Sequence, residues 1–420
     1  MLRIGHIIQR IDLLVFFLLF LLQMSETQTT VYLRFILLII WCILVLLKGC
    51  GRRTTVVYKQ MVALIVFLLC NLIRTYIRYT SLKTVLGSTL SILVLFSGFF
   101  VFDYYKERLS KKEKKLLVYG VLFVWLFYCF KALRFYKEHP GAARAIVSHR
   151  ADYAVNGISD PYAIAYGSVL IEIVLLGILI CGRKALTKIE VLGLVIYIAV
   201  LTVLIWNTES TITMFAMVVG IFLVLILNDN GQLKGNRAIK RSLFLIVGLV
   251  IVCLFLAYRE DIGWWLINTF QEQSGVFAYK LMLVGESLIK KSAQGGLGSR
   301  VGLYTMSWKL FLQHPVFGVE LLGIRFGEHS EFLDALAEYG ILLGALPYFA
   351  LFYYSLRQIR NLLGRQNYSA LLVSFLLMFS LNPFHSNLSN SALMFIVPMI
   401  GTVWREREET VDSERSIKII

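Results

Sequence analysis

Long apolar runs alternate with short polar stretches along nearly the whole chain. A helix needs roughly 20 apolar residues to cross a bilayer, and such runs recur at 11–24, 31–47, 60–78, 84–103, 116–135, 161–181, 190–206, 211–228, 243–258, 340–356, 369–384 and 391–404. They are continuous, with none of the in–out alternation of barrel strands, and only helices or closed barrels satisfy their backbone in lipid. The predicted fold is an all-α, polytopic integral membrane protein of about twelve transmembrane helices. Residues 1–258 hold the first nine helices, 259–339 a long connection, 340–404 the last three helices and 405–420 a charged tail.

Lys and Arg gather in alternate connections: Lys48/Arg52/Arg53/Lys59, Lys106 through Lys115, Arg183/Lys184/Lys188, Lys234/Arg237/Lys240/Arg241 and Arg357/Arg360/Arg365. Cytoplasmic loops carry this excess, so both termini are expected in the cytoplasm and 259–339 outside it. Arg3 and Arg10 ahead of the apolar stretch 13–22 resemble an export signal. No A-x-A cleavage pattern follows, and the segment is read as a retained first helix.

The outer connection is too aromatic to be a disordered loop. Trp264, Trp265, Phe270, Phe277 and Leu288 lie among Glu272, Lys280 and Lys290, as in helices lying in the headgroup region. A further amphipathic helix is expected at 301–313, ending at His314-Pro315. A smaller outer loop, 137–160, contains Arg144, His149, Arg150 and Asp152.

Composition agrees with a lipid environment: 58% of residues are hydrophobic and the mean hydropathy is +0.72. A net charge of +16 raises nucleic acid as a partner, but the cations are dispersed between apolar runs and read as topology signals, so no nucleic acid is expected. The six cysteines, Cys42, Cys50, Cys70, Cys129, Cys181 and Cys253, show no metal-type spacing and imply no disulfide.

One group of cations escapes the topological account. Arg259, Lys280, Lys290, Lys291, Arg300, Lys309 and Arg325 all fall in the connection expected outside. Arginine forks bind phosphate oxygens bidentately, so the segment suits a lipid phosphate at the outer leaflet. The plainer alternative is a solvated surface attracted to anionic headgroups.

Within this segment lie Gly298-Ser299-Arg300-Val301-Gly302-Leu303-Tyr304, then Trp308, Phe311 and His314-Pro315-Val316-Phe317-Gly318. Glu328-His329-Ser330-Glu331-Phe332-Leu333, Ala337-Glu338-Tyr339-Gly340 and Gly344 follow. This order resembles the O-antigen ligase and Wzy-type polysaccharide polymerase family. The detailed likeness covers about 298–344, and the large outer loop before the tenth span extends it.

The resemblance implies metal-independent, cofactor-free transfer of a glycan from an undecaprenyl-diphosphate carrier to an acceptor hydroxyl at the outer face of a bacterial cytoplasmic (inner) membrane. The partners it implies are an undecaprenyl-diphosphate-linked oligosaccharide, a lipid-linked or other glycan acceptor, membrane lipids and a candidate chain-length regulator. Arg300 matches the family's loop arginine and would offset charge on the departing diphosphate. His329 matches the motif histidine and would activate or orient the acceptor hydroxyl. A bland role for His329 is packing at a helix end beside Phe332, Leu333 and Leu336.

Glu331, Asp334 and Glu338 share a different helical face and are expected either to hold arginines or to face water. Tyr304 and Glu209 are further supporting candidates. The family's Ser-Arg pair between spans seven and eight is not reproduced, since Thr211 stands where the arginine would be. Arg259 or Arg325 would then join Arg300 at the diphosphate. Polymerisation of O-antigen, capsule or exopolysaccharide repeat units is the leading expectation, and ligase-type transfer of a finished glycan the alternative. A flippase or other transporter is more distant.

Overall fold

The computed structural model describes residues 2–23, 28–47, 55–79, 82–139, 160–181, 186–227, 254, 257–272, 276–290, 295–384 and 386–419. The helices, in chain order, are α1 (Leu2–Gln23), α2 (Gln28–Leu47), α3 (Thr55–Tyr79), α4 (Leu82–Phe96), α5 (Gly98–Arg108) and α6 (Lys111–Glu138), then α7 (Pro161–Cys181), α8 (Lys188–Asn207) and α9 (Thr211–Leu227). The connection after residue 258 forms α10 (Arg259–Phe270), α11 (Val276–Lys290), α12 (Gly295–Gln313), a 3-10 turn (Glu320–Leu322) and α13 (Glu331–Gly340). A π turn (Ile341–Ala345) leads into α14 (Leu346–Leu381); α15 (Asn387–Ser391), a second π turn (Ala392–Ile396) and α16 (Val397–Ile419) complete the chain. No strand occurs among the described residues.

Among the described residues four helices are long and apolar enough to cross a membrane, at Thr55–Arg78, Lys111–Glu138, Pro161–Cys181 and Lys188–Asn207. The pair Thr84–Phe96 and Gly98–Arg108, bent by 40°, would be a fifth span. Large apolar side chains such as Leu46, Ile65, Phe123 and Phe127 point outward, a surface that hydrocarbon rather than water accommodates. The chain is therefore an all-helical membrane protein.

Several predicted runs differ from the helices they became. The expected span 84–103 breaks at Ser97, whose hydroxyl donates back to the Val94 carbonyl at 2.9 Å. There Gly98 lets the backbone approach the second π turn so closely that an added Cβ would lie 3.2 Å from the Met394 Cβ. The expected tenth and eleventh spans are two halves of α14, separated at Gly364 by left-handed backbone (φ 71°, ψ 164°). The final helix continues beyond 404 because the charged tail finds partners: Glu406 pairs with Lys114 at 2.6 Å and Arg407 with Glu190 at 2.9 Å.

Other expectations fall outside the described residues. They comprise the span 243–258 apart from Leu254, Ala257 and Tyr258, the basic residues Lys48, Arg52, Arg53, Arg183, Lys184, Lys234, Arg237, Lys240 and Arg241, and Arg144, His149, Arg150 and Asp152. Cys50, Cys253 and Lys291 and the side chains of Phe277, Lys280 and Arg365 are likewise outside them.

α7 is the axis of the fold. Inside its most apolar window 78% of residues are enclosed by protein, against 22% for α8. Small residues admit the neighbours: the Trp125 ring lies over Gly167 and its indole N–H donates to Ser168 at 3.1 Å. A second polar link of α7 runs from the Thr202 hydroxyl of α8 to Glu172 at 2.7 Å. Glu172 is fully buried.

Candidate functional site

Residues 295–340 are assembled on one stripe of α12. Arg300, Tyr304 and Ser307 follow at i, i+4 and i+7, the spacing of a single helical face. Arg300 donates to the Asn382 side-chain oxygen at 3.3 Å and Tyr304 to the Leu381 carbonyl at 2.8 Å. Ser307 donates to Asp334 at 2.5 Å and accepts from the Gly327 N–H at 2.9 Å. Val301, Thr305, Trp308 and Leu312 form the exposed face.

α13 begins with a side-chain cap. The Ser330 hydroxyl accepts from the Leu333 N–H at 3.2 Å and donates to the Ser380 carbonyl at 2.6 Å. Asp334 reaches back to the Ser330 N–H at 2.7 Å, so the helix end is satisfied inside the protein. Burial pushes the Asp334 carboxyl above the usual carboxylate range, against the opposing hydrogen bonds from Ser307 and the backbone. Glu331 accepts from the Tyr348 hydroxyl and, at 2.6 Å, from the Phe384 N–H. Both carboxyls are buried and accept from hydroxyls and backbone N–H groups.

The turn after α12 locks onto the end of α13. Gly318 (φ 68°) and Gly340 (φ 62°) adopt left-handed backbone and face each other. A Cβ on Gly318 would sit on the Glu338 carbonyl oxygen, and one on Gly340 on the Gly318 nitrogen. Backbone bonds join the two pieces, Val319 N–H to the Ala337 carbonyl at 2.9 Å and Ile341 N–H to the Pro315 carbonyl at 2.8 Å. Behind this junction Arg74 of α3, fully buried, pairs with Glu320 at 2.6 Å and lies 4.4 Å from the Tyr339 ring centroid.

Beside α13 opens a cavity of about 540 Å³. Among the described residues its lining includes five carboxylates, Asp160, Glu328, Glu331, Asp334 and Glu338, together with Tyr162, Tyr166, Tyr339 and Tyr348. Tyr162 and Tyr166 stack at 6.4 Å and Tyr166 and Phe384 at 5.8 Å, giving the wall two successive ring faces. Asp160 accepts from the Tyr162 N–H at 2.7 Å and so starts α7 at the cavity edge.

The expected site residues divide into groups. Arg300, Tyr304, Glu331, Asp334 and Glu338 belong to the docked pair α12 and α13. His329 precedes α13, half-buried, with Nδ1 2.7 Å from the Glu328 carbonyl. A carbonyl can only accept, so Nδ1 carries the proton and, in the neutral ring, Nε2 is left with the lone pair. His329 is not part of the cavity wall, although its neighbour Glu328 (φ 57°) is.

Arg325 is 83% exposed and lies 3.8 Å from Glu328, while Arg259 starts α10 3.8 Å from Glu260. Neither lines the cavity. Glu209 (φ 51°), in the α8–α9 turn, and Thr211, the first residue of α9, do not line it either.

Sequence reasoning missed Asp160, Tyr162, Tyr166, Arg74, Ser307 and Asn382. Asp160-Pro161 and Ser330 carry readable helix-start signals; the others depend on distant contacts. Among the described residues no three His, Cys, Asp or Glu side chains converge as a metal site. No family model and no curated protein matches this chain.

Proposed function

We propose that this protein is a cytoplasmic-membrane glycosyltransferase that moves a glycan from undecaprenyl diphosphate to an acceptor hydroxyl on the outer face, polymerising repeat units of a surface polysaccharide. Twelve spans with both termini in the cytoplasm belong to this proposal. The observation that carries it is the placement of a fixed arginine, Arg300, against the 381–384 loop while a cavity of carboxylates and tyrosines opens at the same loop.

In the proposed reaction the acceptor oxygen attacks the anomeric carbon, the bond from that carbon to the diphosphate oxygen breaks, and undecaprenyl diphosphate departs. Arg300 offsets the charge that grows on the leaving group. The acceptor proton passes to His329 Nε2, the nitrogen that the Glu328 carbonyl leaves unprotonated. Glu331 and Asp334 position the apparatus, since hydroxyl and backbone donors already occupy them.

Proteoliposomes holding the full chain and a lipid-diphosphate-linked repeat unit test the proposal. Longer lipid-linked glycans with release of undecaprenyl diphosphate are expected. Transfer of single units to a lipid A core would make the protein a ligase, and movement of intact donor across the bilayer without bond exchange would make it a flippase.

A further inference from the structure

At the end of α7 away from the candidate site a second cavity, of about 740 Å³, opens between α6, α8 and α16. Tyr162 and Tyr166, in the first turns of α7, line the cavity beside α13, whereas Leu175 and Ile178, in its later turns, line this one. Residues 166 to 175 set the two about 14 Å apart along the helix axis.

The groove grades from charged to apolar along one face of α6. Lys111, Lys115, Tyr119, Leu122 and Leu126 recur at helical spacing, and this stripe is about 22 Å long. One leaflet of a bilayer, headgroup region included, is roughly 20–22 Å deep, so the groove has the length of a single phospholipid. It is open sideways, because Tyr119 and Phe123 line it and are 47% and 69% exposed. α6 is itself one of the candidate spans, and what lies beside its exposed face is hydrocarbon. On α8 the groove runs past Gly193, where an added Cβ would meet no atom within 4 Å.

Its charged end is built around Glu190. That carboxylate accepts from Lys115 at 3.1 Å and from two nitrogens of Arg407 at 2.9 Å each. The Tyr119 hydroxyl and the Thr187 N–H and hydroxyl complete its shell. Two cations on one carboxylate leave a net positive charge. The ammonium gives Glu190 one of its three N–H groups and the guanidinium two of its five, so both retain donors for an anion. Glu406, the second carboxylate among the described lining residues, pairs with Lys114 at 2.6 Å.

We propose that this groove is a site for one anionic phospholipid of the leaflet opposite the candidate site, its phosphate on Lys115 and Arg407 and one acyl chain lying along Tyr119, Leu122 and Leu126. The site is independent of the glycan-transfer reading, since neither these residues nor this end of α7 enters that reaction.

Native mass spectrometry of the delipidated full chain tests it, with dioleoyl phosphatidylglycerol and dioleoyl phosphatidylcholine titrated separately. One phosphatidylglycerol should bind saturably ahead of any further lipid, about fivefold or more tighter than phosphatidylcholine, the scale of one cation at a membrane surface. Gly193→Leu places a side chain where the groove has room, and leucine favours a helix over glycine, so this variant should fold and lose the first site. Lys115→Gln should keep phosphatidylcholine binding and weaken phosphatidylglycerol binding about fivefold. Glycerol phosphate, which has no chains, should not displace the lipid.

Equal affinity for the two lipids in the unaltered protein overturns the proposal, as does an unchanged first site in Gly193→Leu. Unchanged selectivity in Lys115→Gln does the same, and that variant decides should Gly193→Leu fail to fold. Displacement by glycerol phosphate would make the mouth an anion site with no chain in the groove, and a dimer that Gly193→Leu dissolves would put a second copy of this chain there; either result overturns the lipid assignment.

Discussion

Arg300, half-buried on the α12 face that it shares with Tyr304, donates to the Asn382 side chain, and in the proposed reaction that bond would orient the planar fork toward the diphosphate. Arg300→Lys keeps the charge but loses that plane. It should insert and melt like the unaltered protein while transfer in proteoliposomes falls about 10²-fold or more, the scale of one lost charge-stabilising donor. Near-normal glycan yield would shift the phosphate role to another cation. His329 makes a sharper claim, because Nε2 is either a base or a bystander. His329→Ala should slow transfer by ~10²–10⁴ without lowering the melting temperature, and His329→Gln, which orients a hydroxyl but takes no proton, should not restore the rate. A folded, fully active His329→Ala protein would remove the catalytic role. The four-residue interval between Arg300 and Tyr304 was readable because it repeats a helical face. The buried work of Glu331 was not, since its partners Tyr348 and Phe384 lie 17 and 53 residues away and no local pattern encodes them.

Between elements, the turn after α12 and the end of α13 meet backbone to backbone, and two glycines make the meeting possible. Gly318 and Gly323 share left-handed φ values, 68° and 65°, but only Gly318 has atoms within Cβ range. The left-handed conformation alone costs roughly 1–2 kcal/mol for a residue with a side chain. Gly323→Ala should therefore show about that loss in detergent unfolding. Gly318→Ala must also displace the Glu338 carbonyl, and should lower the melting temperature distinctly further; equal losses would mean that the junction yields. Helix positions were mostly readable from apolar runs, whereas the break at Ser97 was not. It follows from where Gly98 meets the second π turn, a contact across nearly 300 residues of sequence that periodicity does not register. The same reason hides Arg74, a cation in an otherwise ordinary apolar run.

For the whole molecule, the proposed function stands on which side of the membrane α10 to α13 face. A cysteine replacing Gly296 in a cysteine-free background should react in intact cells with a membrane-impermeant thiol reagent, because only an outward segment leaves the basic connections inside. Labelling that appears solely after lysis would invert the topology and remove the outer-leaflet substrate. The enclosure of α7 bears on how the chain is made. Thr202 follows Glu172 by 30 residues, so the ribosome delivers the carboxyl of α7 to the translocon before its hydroxyl partner has been synthesised. An acidic side chain near a helix centre costs roughly 2.5–3.5 kcal/mol on insertion scales, and the pair α7 and α8 gains by entering as a hairpin. A nascent chain stopped after Leu186 should integrate α7 less completely than one stopped after α8, as read by engineered glycosylation sites, and equal integration would uncouple the two. On this account the most enclosed of the four candidate spans would depend, during biogenesis, on the less enclosed helix that follows it.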